Sequence, residues 1–180
     1  MSKPRFAVLA FMILAAAATR LIPHPPNATS ITAMALFGGA YLSDKRLAFL
    51  APMTALFLSD LVLGFYSRMW VVYGSFAVIV CIGRLLRARR RLLAIAGATL
   101  ASSIIFFVIT NLGVWIFGSL YPKTIEGLLA CYVAAIPFFQ NTLLGDASYT
   151  TALFGAFALV ERRWSALRGS HVGLETICLE

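Results

Sequence analysis

Charge is what this 180-residue chain lacks most: 12% of its residues are Asp, Glu, Lys or Arg, while 61% are hydrophobic and the mean hydropathy is +0.87. That leaves too little polar surface to coat a soluble globule of this size, so the chain reads as an integral membrane protein. Acidic residues are scarcer than basic ones, seven against fifteen, for a net charge of +8. This excess does not point to nucleic acid, because the basic residues lie between and after apolar segments and not along one amphipathic face. Histidine occurs only as His24 and His171, which excludes the intrahelical histidine pairs of membrane cytochromes. The three cysteines, Cys81, Cys131 and Cys178, show no CxxC or CxxCH spacing, so neither a disulfide framework nor a covalent haem site is indicated. GxSxG, HExxH and Walker A motifs are missing, which removes the serine-hydrolase, zincin and ATPase readings. No internal repeat supports an inverted-repeat transporter.

What is present is a series of apolar runs. They predict an all-α integral membrane protein, one domain over 1–180, with six transmembrane helices at about 6–22, 31–42, 47–66, 70–88, 92–117 and 127–160 and a cytoplasmic tail over 161–180. The first run, after Lys3 and Arg5, could be a signal peptide but continues the pattern of the others and reads as an uncleaved helix. Pro23, Pro25 and Pro26 stop it, and Thr29 or Ser30 caps the second. Gly38-Gly39-Ala40 offers a small face for close helix contact, and Pro52 predicts a kink. The last run is longer than a bilayer requires, so a break is expected near Pro137. Six crossings with the amino terminus inside place twelve basic residues on one side, including the five arginines between Arg84 and Arg91. Only Arg20, Arg68 and Lys123 remain on the other. The positive-inside rule then puts both termini of this multi-pass chain in the cytoplasm.

Polar groups inside apolar helices are costly and are functional candidates by default. Arg20, Asp60, Asn111 and Asp146 lie toward the middle or the presumed outer half, with His24 and Asn27 on the first outer loop and Gln140-Asn141 on the last helix. Together they suggest a pocket open to the outside; the competing reading is that they bond one another as packing contacts. The outer ends also carry Tyr66, Trp70, Tyr73 and Phe76, either pocket walls or an interfacial belt. Cys81, within the run Trp70 to Arg91, is either a small hydrophobe or a soft ligand for a metal whose other ligands arrive with it. His24 is either a fixed loop residue or a second axial ligand.

The segments PHPPNATSITAMALFGGAYL, FLSDLVLGF, WVVYGSF, TNLGVWIFGSLYP and GLLACYVAAIPFFQNTLLGD resemble the six-helix substrate-binding S components of energy-coupling factor (ECF) vitamin transporters. With Cys81 just after VYGSF, the chain is most similar to the solitary BtuM-type members that take vitamin B12. The resemblance implies cobalamin as cargo, with Cys81 as axial ligand to the corrin cobalt and no resident cofactor. Cys81, His24, Asn27, Asp60, Tyr66, Trp70, Tyr73, Phe76, Asn111 and Asn141 would contact the ligand. A thiolate on cobalt also implies removal of the upper cyano ligand, the one chemical step such a transporter would add. S components commonly dock to a shared energising subunit through an AxxxA patch, whereas here the first helix has Ala15 to Ala18 followed by Thr19, a pattern that favours a stand-alone transporter. Two alternatives stand beside this reading: an S component for another small vitamin with Cys81 structural, and a non-transporting scaffold whose small-residue faces bind partner helices.

Overall fold

A computed structural model describes residues 2–88, 90–164 and 167. Six α-helices follow one another: α1 Lys3–Ala18, α2 Ile31–Tyr41, α3 Lys45–Leu63, α4 Met69–Leu85, α5 Leu92–Phe117 and α6 Ile125–Arg163. Five of them are long and apolar enough to cross a membrane; α2, with 11 residues, is not. At 1.5 Å per residue α2 is about 16 Å long, roughly half the ~30 Å hydrocarbon thickness.

Sequence explains why so short a helix is stable. Every residue from Ile31 to Ala40 is buried, because α2 forms the axis of the bundle and touches each of the other five helices. A helix apolar all round belongs in that position. Its small residues set the approach of its neighbours. A Cβ on Gly83 of α4 would lie 2.9 Å from the Leu36 Cα, and one on Gly38 would strike the Pro52 ring of α3. The lower end of α2 is closed by Phe37, Tyr41, Phe154 and Phe157, whose rings meet edge-on or tilted.

Basic residues gather at that same end. Arg5 pairs with Glu161 at 2.6 Å and lies over the Phe157 ring, Arg87 donates to the Ser43 carbonyl at 2.7 Å, and Arg90 lies over Tyr41. Asp44 caps α3 by accepting from the backbone N–H groups of Arg46 and Leu47. Those N–H groups, Leu47 foremost, hold its carboxyl below the ordinary value.

Two expectations need correction. The last helix is not broken: α6 runs 39 residues through Pro137, about 58 Å. A proline removes one backbone hydrogen bond, which neighbouring helices and local adjustment accommodate in membrane helices. The tail predicted from 161 begins later, since α6 continues to Arg163; residues 165, 166 and 168–180 lie outside the described residues, and with them His171 and Cys178.

Candidate functional site

The chain between α1 and α2 stays exposed through Asn27 and enters the bundle over Ala28 to Ser30. Pro25 and Pro26 cannot continue the helix, and Asn27 takes a left-handed conformation, φ 66°, which Asn tolerates better than most side chains. The Ala28 N–H donates to the Pro25 carbonyl, and Asn141 of α6 donates to the Pro26 carbonyl at 3.1 Å, bracing the loop. Gly145 of α6 lets the backbone come close, since a Cβ there would lie 2.9 Å from the Ala28 Cα. Ser30 then donates to the Ala16 carbonyl at 2.7 Å, so α2 starts beside the last turn of α1, within the bundle.

Above the start of α2 this leaves a cavity of about 220 Å³. It is walled by Asn27 and Thr29 of the loop, Thr32 of α2, Tyr66 of the α3–α4 connection, Val72 of α4, Phe106 of α5, and Thr142 and Asp146 of α6. Asp146 is 2% exposed and receives the Ser103 hydroxyl at 2.5 Å. Thr142 bonds the Phe138 carbonyl one turn back, the usual way a threonine satisfies itself within a helix. Burial, with the nearby Asp60 charge second, pushes the Tyr66 phenol up to about 12, so it stays neutral across physiological pH. A larger groove of about 440 Å³ runs between α5 and α6, but its lining is mainly apolar and follows the outside of the bundle.

Beside Tyr66 lies a buried ion pair. Arg20, at the end of the turn after α1, reaches Asp60 of α3 at 2.8 Å and donates to the Ser59 hydroxyl; Tyr73 of α4 donates to the other Asp60 oxygen at 2.9 Å. Asp60 is fully buried and Arg20 is 8% exposed, so each charge depends on the other.

The predicted site residues separate accordingly. Asn27 and Tyr66 line the cavity, Asn141 braces its loop, and Asp60 and Tyr73 belong to the adjoining network. Phe76 is wholly buried in the core, and Trp70 packs edge-on against Phe117 on the bundle's outer surface. Asn111 is occupied by the Phe107 carbonyl of its own helix, and His24 is exposed with the neighbouring Pro25 carbonyl 3.2 Å from its ring. Cys81 requires the largest correction. The buried face of α4 carries Val71, Ser75, Phe76, Ile79, Val80 and Gly83, and at 3.6 residues per turn Cys81 falls on the opposite side, with Trp70 and Gly74. Its sulfur is exposed and takes no part in the cavity. Among the described residues, no group of three or more His, Cys, Asp or Glu side chains is placed to hold a metal ion.

Comparison with known proteins adds one relation. Residues 1–167 match DUF6580, described as a family of unknown function. The chain belongs to this family. No curated protein and no solved structure matches it. The family carries no functional description, so the resemblance to S components rests on the quoted sequence segments alone.

Sequence reasoning picked out Asn27, Tyr66 and Asp146 and left out Thr29, Ile31, Thr32, Val72, Phe106 and Thr142 as cavity residues. The one signal available for the threonines was their spacing around the Pro-rich loop and Gly145-Asp146, where polar residues interrupt apolar runs.

Proposed function

We propose that the chain is a membrane-embedded binding protein for a small solute, an S-component-like uptake protein of the bacterial inner membrane. The observation that carries this is the cavity over the α2 start, where polar groups from a loop and several apolar helices converge. Irregular backbone and buried polar groups are tolerated there only against protein or a cavity. With the arginine-rich end in the cytoplasm, the cavity lies toward the outside.

The cobalamin version of this reading is the less favoured one. Drug-sized ligands occupy pockets of roughly 300–1,000 Å³, and a corrinoid is larger than those, whereas the cavity is about 220 Å³ and Cys81 faces away from it. A compact vitamin-sized solute fits better, with Cys81 a surface residue of the helix. The test is a thermal-stability screen of small solutes on the purified chain in lipid nanodiscs, run beside Thr142→Phe, which fills the cavity. A solute that raises the melting temperature of the parent and not of the variant supports the reading. If cyanocobalamin instead changes its visible spectrum on addition, and Cys81→Ala abolishes the change, the corrin version replaces it.

A further inference from the structure

The two buried carboxylates of the bundle are treated differently. Asp60 has Arg20 at 2.8 Å, whereas Asp146, 2% exposed, makes no ion pair among the described residues. The groups that reach Asp146 are hydroxyls, Ser103 from α5 and Thr32 from α2. Each hydroxyl has one proton to give, while an ionised carboxylate offers about four acceptor positions. Asp146 therefore has acceptor capacity left over, and it lines the cavity. A charge at membrane depth is rarely left without a counter-ion, because its solvation is lost there.

Building on the proposed binding cavity, we infer that its solute carries a protonated nitrogen, an ammonium or a cationic heterocycle, that pairs with Asp146. Two further features agree with this. Tyr66 and Phe106 are the aromatic walls of the same space, and aromatic rings attract cations. The α2 start is the opposing term, since a helix N-terminus favours anions, but it amounts to about half a positive charge. Paired with a cation, the ionised Asp146 carboxylate outweighs that half charge, and an anionic head group would face the carboxylate with no such pairing.

The experiment uses three probes of one shape: benzylammonium, benzyl alcohol and benzoate. Binding to the full chain in nanodiscs is measured by calorimetry, for the parent and for Asp146→Asn. Benzylammonium should bind about tenfold or more tighter than benzyl alcohol, benzoate should be weakest, and Asp146→Asn should remove the preference for the cation. If benzyl alcohol or benzoate binds as tightly as benzylammonium, the charge inference is overturned while the cavity reading stands. If none of the three binds, the cavity reading itself is overturned. Should Asp146→Asn fail to fold, the order of the three probes on the parent decides, and Ser103→Ala, which keeps the carboxylate, should retain the preference.

Discussion

The side chains that were legible from sequence alone are those whose chemistry conflicts with their surroundings. Arg20 and Asp60 stand out in apolar runs because neither can be left alone in lipid, and the structure pairs them at 2.8 Å. Removing one partner leaves a buried charge, which costs about 3–5 kcal/mol, whereas replacing both with apolar residues of similar volume is often close to neutral. Arg20→Met and Asp60→Leu are each expected to lower the unfolding midpoint strongly, and the double variant to recover most of the loss. Equal losses adding in the double variant would mean the pair is not coupled. The threonines of the cavity were not legible, because a helical threonine can bond the carbonyl one turn back and conflicts with nothing, as Thr142 does with Phe138. The outward placement of Cys81 was not legible for a related reason. In a helix that is apolar on nearly every side, too few polar residues mark the outward face, so the sequence holds little information about which way a sulfur points.

Helix ends were easier to place than helix continuity. Pro23 follows the short turn after α1 as expected and α3 ends at Leu63, within a few residues of the expected 66, whereas Pro137 lies inside an unbroken α6, since the neighbours of a membrane helix can absorb a missing hydrogen bond. The small residues of α2 also carried a readable signal, although their partners did not. Gly83 of α4 meets the α2 backbone at Leu36, and because both sides of that contact are backbone, neither can rotate away. Gly83→Ala is therefore expected to force the two helices apart at a cost of about 1–3 kcal/mol, seen as a lower midpoint of thermal unfolding. Gly97→Ala is the control: nothing lies near a Cβ there, and its midpoint should be unchanged or higher. A similar loss in both variants would remove the close α2–α4 crossing from the account.

At the scale of the whole molecule, composition sufficed to predict an all-helical chain with helices long and apolar enough to cross a membrane, and the structure has five of them. What composition cannot express is that the shortest helix occupies the centre, so that the loop before it descends and a cavity opens above. If the arginine-rich end is cytoplasmic, a membrane-impermeant maleimide applied to intact cells should label Ser119→Cys, and not Leu92→Cys, in a chain otherwise free of cysteine. The reverse pattern would turn the cavity toward the cytoplasm and exclude uptake from outside. The most direct measurement of all is native mass spectrometry of the chain released gently from its own membrane. A bound small molecule should accompany the parent and be missing from Thr142→Phe; a parent with no bound solute beyond lipid, indistinguishable from that variant, would contradict a solute-binding cavity.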